Sequence, residues 1–133
     1  MNASRWVITA TALVLGIVVP VLELNATHLF NPLWPGHARL HEAWQLVSNA
    51  ALSGVCLWLA WKQGEVRLAA LLQLCLVGGF ALAHIFSAGY GGTMRHTDGT
   101  ELAVHGVNVA VMLMFLLAAA LLPVALGRGR ATG

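Results

Sequence analysis

The chain has 133 residues, of which 59% are apolar and 9% are charged, and its formal net charge is +2. Soluble domains carry about 25% charged residues, so this composition is typical of a membrane protein with almost no separate soluble part. No basic stripe with interleaved aromatic residues is present, so we expect no nucleic-acid partner. Cys56 and Cys75 stand alone in apolar segments and form no CxxC pair, so we expect no cysteine redox chemistry.

Four apolar stretches divide the chain, and each is close to the ~20 residues that an α-helix needs to cross a bilayer. They predict helices over about 6–24, 41–62, 67–88 and 101–126, and therefore an all-α, integral membrane four-helix bundle in one domain, 1–133. The first stretch also resembles a signal peptide, because Arg5 precedes its apolar run. That run is long, contains Pro20 and lacks a small-x-small cleavage site before Asn25, so we expect the first helix to be retained.

The basic and histidine residues gather at opposite ends of the predicted bundle. One set of helix ends carries most of the basic residues, namely Arg5, Lys62, Arg67, Arg128 and Arg130. The other end carries all six histidines, namely His28, His37, His41, His84, His96 and His105. By the positive-inside bias, both termini are cytoplasmic. The histidine-rich loops then face outside, towards a periplasm, the cell exterior or a lumen.

The start of the second predicted helix carries a histidine pair. His37 and His41 are four residues apart, and they share one face, as a metal pair requires, if the helix already includes His37. From His41 a polar stripe continues through Gln45 and Asn49 into the apolar stretch. A polar stripe at this depth is expected to face the interior of the bundle rather than lipid.

The third and fourth helices add further polar residues at the same end. His84 lies near the end of the third helix, and Glu101, His105 and Asn108 follow i, i+4, i+7 spacing on the predicted fourth helix. Thr100 is the expected N-cap of that helix. Ionisable residues in an apolar segment are costly, so we treat them as functional candidates.

A pocket with apolar walls and several His and Glu groups suits a lipophilic substrate. Imidazole and carboxyl groups together can move a proton between two positions of a substrate without a cofactor. We therefore predict isomerisation, cyclisation or hydration of a lipophilic small molecule at the outer membrane face. The predicted catalytic residues are His41, Glu42, His84, Glu101 and His105. The predicted substrate contacts are Glu23, Trp34, Arg39, Trp44, Gln45, Asn49 and Asn108.

Two alternatives stay open. The first is a redox protein with a transition metal or heme, whose candidate ligands are His37, His41, His84 and His105. Against it, the His boxes of membrane di-iron oxygenases and the Glu-x-x-His pairs of ferritin-like proteins are absent as sets. The second is a non-catalytic membrane subunit or ligand-binding protein. A transporter would need polar positions at both depths. The Ala-rich fourth helix is compatible with a homo-oligomer.

One stretch carries a resemblance to other proteins. It runs His-Leu-Phe-Asn-Pro-Leu-Trp-Pro-Gly-His-Ala-Arg-Leu-His from His28 to His41 and is followed by Trp44, Gln45 and Asn49. It resembles the signature stretch of small uncharacterised four-helix membrane proteins, which implies the fold but no activity. In layout, a compact bundle with His and Glu in a lipophilic pocket is also similar to the emopamil-binding-protein type of sterol isomerase. That similarity implies isomerase-like chemistry and assigns no residue.

Overall fold

The computed structural model describes residues 2–128, and within this range the chain is mostly helical, with four helices. Helix α1 consists of Asn2–Leu13, a π-helical turn over Val14–Val18, and Val19–Glu23. Helix α2 consists of Gly36–Trp58 and a second π-helical turn over Leu59–Gln63. Helix α3 spans Val66–Ile85 and is followed by a 3-10 turn, Ser87–Gly89, and helix α4 spans Val109–Ala125. The predicted four-helix, mostly helical chain is confirmed.

Three of these helical segments are long and apolar enough to cross a membrane, by length and composition: Ala3–Glu23, Gly36–Gln63 and Val66–Ile85. Helix α4 is apolar but has 17 residues. Many large apolar side chains on the outside of the helices are exposed, among them Val21, Val47 and Leu116. An apolar surface this extensive is unusual on a monomeric soluble protein and matches a lipid environment.

The helices alternate in direction. Trp61 Nε1 at the end of α2 donates a 2.9 Å hydrogen bond to Thr9 Oγ1 near the start of α1. Arg67 Nε at the start of α3 donates a 2.9 Å hydrogen bond to the Ala125 carbonyl at the end of α4. The start of α1, the end of α2, the start of α3 and the end of α4 therefore meet at one end. The six histidines lie at the opposite end, which we call the histidine end.

In the core, a buried hydrogen bond and a close approach between two helices hold the bundle together. Gln73 of α3 is fully buried, and its Nε2 donates a 2.9 Å hydrogen bond to the Ile8 carbonyl of α1. Gly16, inside the π-helical turn of α1, packs against Ser53 of α2 so closely that a Cβ atom there would lie 2.9 Å from Ser53 Cβ. Because Gly16 has no side chain, the backbone of α1 can pack directly against the Ser53 side chain of α2.

The structure corrects the predicted start of the fourth helix. Helix α4 begins at Val109, and the preceding residues form a two-stranded hairpin, with β1 (Ala103–Val104) antiparallel to β2 (Val107–Asn108). The turn residues His105 and Gly106 have φ angles of 50° and 78°, as a tight hairpin turn requires. The β-branched valines on either side favour an extended backbone over a helix. Asn108 rather than Thr100 caps α4, because its Oδ1 accepts from the backbone N–H groups of Ala110 and Val111.

Candidate functional site

A cavity of about 850 Å³ lies at the histidine end of the bundle. Its apolar part includes Leu15 and Val19 of α1, Leu76 and Phe80 of α3, and Met114 of α4. Its polar lining includes Glu23, His28, Glu42, Gln45, Asn49 and His96. The cavity thus combines the apolar walls that a lipophilic molecule needs with a few ionisable groups, the usual composition of a small-molecule site.

Helical periodicity explains which side chains of α1 and α2 reach the cavity. Leu15, Val19 and Glu23 are spaced by four residues along α1, and all three line the cavity. Three polar residues of α2 line it as well, with Glu42, Gln45 and Asn49 at i, i+3 and i+7. Of the stripe predicted from His41, Gln45 and Asn49 therefore line the cavity, whereas His41 is exposed and lies outside the lining.

The shortest contact between ionisable groups in the cavity joins Glu23 and His28. His28 Nε2 lies 3.2 Å from Glu23 Oε2, and the two side chains are 22% and 26% exposed. At this distance a proton must lie between the two atoms, because two lone pairs would repel. The pair holds one proton that can sit on either the imidazole or the carboxyl group.

The loop that follows α1 fixes the orientation of the His28 ring. Asn25 forms an Asx turn, in which its Oδ1 accepts from the Thr27 backbone N–H at 2.7 Å and from Thr27 Oγ1 at 2.7 Å. Since the Thr27 hydroxyl proton is used in that bond, Thr27 Oγ1 accepts from His28 Nδ1–H at 2.9 Å. This network assigns the ring proton to Nδ1 and leaves Nε2 facing Glu23.

The surroundings of His28 favour its neutral form. Burial lowers the pKa of His28 from its ordinary value of 6.5, and the neighbouring His96 lowers it further. The His96 ring meets the His28 ring edge-on, with the centroids 4.6 Å apart. His28 therefore acts as a proton acceptor towards Glu23 near neutral pH.

Asn31 joins the two loops beside the cavity. Its side chain is 1% exposed, and its Nδ2 donates to the Thr27 carbonyl at 3.1 Å and to Thr97 Oγ1 at 2.9 Å. Its Oδ1 accepts from the Leu33 backbone N–H at 2.9 Å. Because Thr97 belongs to the loop that follows α3, this one amide holds that loop against the loop that follows α1.

The predicted site residues divide into two groups. Those that line the cavity are Glu23, Trp34, Glu42, Gln45 and Asn49. Those outside the lining, in the part of the chain that the structure describes, are Arg39, His41, Trp44, His84, Glu101, His105 and Asn108. Of the predicted catalytic residues, therefore, the structure places Glu42 at the cavity and the others elsewhere.

The predicted catalytic residues outside the lining have their own contacts. His84 stacks on Phe80, with the ring centroids 6.3 Å apart. Glu101 lies 3.6 Å from Arg95 Nε and accepts a hydrogen bond from Asn108 Nδ2. His105 is exposed in the hairpin turn, so the expected shared helical face of Glu101, His105 and Asn108 does not form.

The predicted alternative metal set is also divided. His37 and His41 face each other on α2, with their Nε2 atoms 3.0 Å apart. His84 and His105 lie apart from that pair, on α3 and in the hairpin turn. Among residues 2–128, no three His, Cys, Asp or Glu side chains lie close enough to hold one metal ion.

His28, Arg95 and His96 line the cavity but are not among the site residues predicted from the sequence. For His28 a signal exists, since an Asn-x-Thr-His turn directly after a helix can return the histidine towards the last helical carboxyl group. His96 and Arg95 carry no periodic signal, because their position depends on how a loop folds over the bundle. Loop residues can be placed only once the fold is known.

The cavity can hold a lipophilic molecule and offer it two acid–base groups. The Glu23–His28 pair lies on the α1 side, and the Glu42 carboxyl group lies on the α2 side. A proton donor and a proton acceptor in one apolar cavity are the elements of general acid–base catalysis.

No protein-family model matches this chain, and no curated protein or solved structure is detectably similar to it.

Proposed function

We propose that the chain is an integral membrane protein that performs acid–base chemistry on a lipophilic small molecule in the cavity at the histidine end. The observation that carries this proposal is the 3.2 Å contact between Glu23 Oε2 and His28 Nε2 inside a cavity whose remaining walls are largely apolar. Burying ionisable groups that hold a transferable proton costs free energy of folding. Their presence therefore favours a role in proton transfer over packing alone.

The proposal includes a membrane orientation. Arg5, Lys62, Arg67 and Arg128 lie at the end opposite the cavity, as the alternating helix directions require. The positive-inside bias then supports cytoplasmic termini and a cavity at the outer face. A lipophilic molecule would reach that cavity from the outer part of the bilayer.

The lining residues suggest a division of roles in a double-bond shift. The Glu23–His28 pair gives its proton to one alkene carbon, and Glu42 as a carboxylate takes a proton from the carbon next to the cation formed. The double bond moves by one position, the substrate keeps its atoms, and the two carboxyl groups return to their starting states by proton exchange with solvent. Gln45 and Asn49 are placed to orient a polar group of the substrate by hydrogen bonds.

A second candidate function is binding without chemistry, and the loop contact between Asn31 and Thr97 favours it. That buried amide closes one loop against the other at the cavity, which suits retention of a ligand as well as protection of a reaction from water. The two candidates differ in one measurable respect, because a binding protein leaves the carbon-bound hydrogens of its ligand unchanged.

Two adjacent glycines of α3 offer a matched test. Gly79 lines the cavity and Gly78 does not, while a Cβ atom at either position would meet nothing within 4 Å. Gly79→Leu should therefore fill part of the cavity, and Gly78→Leu should leave it open. Detergent-purified wild-type protein and both variants would be compared by mass spectrometry for co-purified lipophilic molecules, before and after incubation in D2O.

The proposal predicts a co-purified molecule that gains deuterium at carbon with the wild type and with Gly78→Leu but is lost from Gly79→Leu. A molecule that is lost from Gly79→Leu but gains no deuterium in the wild type would favour the binding function. Equal recovery from both variants would contradict a role for this cavity in either function.

A further inference from the structure

Helix α2 begins with a pair of histidines that lies outside the cavity lining. The helix starts at Gly36, so His37 and His41 lie one turn apart on the same face. Their Nε2 atoms are 3.0 Å apart and their ring centroids are 4.5 Å apart. Both side chains are exposed, and neither lines the cavity. We propose that this pair is a separate binding site for a divalent transition-metal ion, with copper(II) as the preferred ion.

The separation of the two nitrogen atoms suits a pair of ligands to one ion. In the structure the 3.0 Å distance is that of a hydrogen bond between the rings, and it lies close to the separation that two nitrogen ligands of one ion need. Imidazole ligands suit copper, nickel and zinc, and at a given site the affinity order of divalent ions places copper(II) first.

The pair is also free to bind a metal. Among the described residues, the one hydrogen bond made by either ring is the contact between the two Nε2 atoms, where one ring donates and the other accepts. If the donor ring moves its proton from Nε2 to Nδ1, both Nε2 lone pairs face the same point. Among the described residues, copper(II) therefore displaces one hydrogen bond between the rings and no other hydrogen bond, and water completes its coordination because the pair is exposed.

Trp44 provides a reporter within the same helix. Its ring centroid lies 5.9 Å from that of His41, and the side chain is 66% exposed. A copper(II) ion bound at His41 would quench the fluorescence of a tryptophan this close. The site can therefore be tested without knowing the substrate of the cavity, and its failure would leave the proposed function unaffected.

The experiment uses the full chain in detergent, purified without a histidine tag and titrated separately with copper(II), nickel(II) and zinc(II). Tryptophan fluorescence gives the affinity, and electron paramagnetic resonance of the copper(II) sample shows whether two nitrogen atoms bind the ion. We expect one copper(II) ion per chain, bound more tightly than nickel(II) or zinc(II). Trp44→Phe should remove most of the quenching and leave the resonance spectrum unchanged.

Four variants make the test specific. His37→Ala and His41→Ala should each weaken copper(II) binding by at least about tenfold, since a lost ligand costs no less than a lost outer-shell partner. His37→Ala combined with Arg39→His keeps six histidines but spaces the pair by two residues, which do not face each other on a helix, so it should bind as weakly as the single variants. His84→Ala, on another helix, should bind as the wild type does.

Copper(II) affinity that is unchanged in both His37→Ala and His41→Ala would overturn the proposal. So would tighter binding of zinc(II) than of copper(II), because imidazole ligands that share one ion should follow the general affinity order. A resonance spectrum with a single coordinated nitrogen in the wild type would also overturn it.

Discussion

His28 Nε2 and Glu23 Oε2 lie 3.2 Å apart across the end of helix α1, and the loop between them fixes the histidine in the tautomer that faces the carboxyl group. Glu23 and His28 are close in sequence, but the side chains around them come from distant parts of the chain. Their apolar surroundings come from α1, α3 and α4, and the His96 ring packs nearly perpendicular to the His28 ring. Glu23 and His28 therefore form a proton-holding pair only because the bundle surrounds them with apolar side chains.

Acidification should destabilise the folded chain through His28. Burial, and after it His96, lowers the pKa of His28 below its ordinary value of 6.5, so the unfolded chain takes up the proton first. The contribution of His28 to stability is therefore complete above about pH 6.5 and is lost as the pH falls through the lower, folded-state pKa. Thermal unfolding in detergent, followed by circular dichroism above and below pH 6.5, measures this loss.

The same series in His28→Gln should show a smaller fall in melting temperature on acidification, because the titrating ring is gone. His37→Gln, at an exposed position of α2, serves as the control and should keep the acid sensitivity of the wild type. A change in melting temperature on acidification that is equal in His28→Gln and in the wild type would contradict this role of His28.

Thr97→Val should loosen the two loops beside the cavity while preserving the shape of the side chain. The variant removes the acceptor of the 2.9 Å hydrogen bond from buried Asn31 Nδ2. We expect the free energy of unfolding to fall by about 1 kcal/mol. We also expect faster amide hydrogen exchange in residues 25–35, measured by mass spectrometry. Thr100→Val is the matched control, since Thr100 Oγ1 bonds within its own loop to Asp98, and exchange in 25–35 that rises equally there would refute the assignment.

Gly16→Ala should destabilise the bundle by overpacking. The added Cβ atom would lie 2.9 Å from Ser53 Cβ and 3.2 Å from Ser53 Oγ, so α1 and α2 would have to separate. The expected loss is about 1–3 kcal/mol in the free energy of unfolding, measured by denaturant titration in detergent. Gly54→Ala, which meets nothing within 4 Å, should instead be neutral or stabilising by about 0.5–1 kcal/mol.

A compensating variant separates overpacking from other effects of the alanine. Ser53→Gly removes the atoms that the new methyl group would meet, so in the Gly16→Ala background it should recover part of the lost stability. If the double variant is less stable than Gly16→Ala alone, close approach of α1 and α2 at this point is not the cause of the loss.

Helical periodicity explains what could be predicted from the sequence. The apolar stretches identify the four helices, and the stripe through Gln45 and Asn49 identifies part of the cavity wall, because both depend on patterns within one element. The same stripe misplaces His41, which lies outside the cavity lining. The hairpin before α4 was missed because the i, i+4, i+7 spacing of Glu101, His105 and Asn108 resembles a helical face. In the structure, the turn at Gly106 and the valines beside it outweigh that pattern.

The partners of Glu23 could not be predicted in the same way. His28 approaches it through an Asx turn at Asn25, a local signal that the search for helical faces overlooks. His96 approaches through a contact between two loops, which depends on the buried amide of Asn31 and not on any spacing. The placement of the histidines predicts a site at one end of the bundle, but it does not indicate which of the six line the cavity, because that depends on the path of the loops.

The most direct test of the proposed function is the rate at which a lipophilic substrate of the cavity gains deuterium at carbon from D2O, compared between Glu23→Gln and Glu65→Gln. Glu65 lies in the exposed turn between α2 and α3, at the opposite end of the bundle, so it controls for the loss of one carboxyl group. Gln at position 23 keeps a hydrogen bond to His28 but cannot give up a proton. The proposal predicts that Glu23→Gln slows incorporation by about 10²-fold or more, while Glu65→Gln matches the wild type. Equal rates in the two variants would contradict the assignment of Glu23 and His28 as the proton-donating pair.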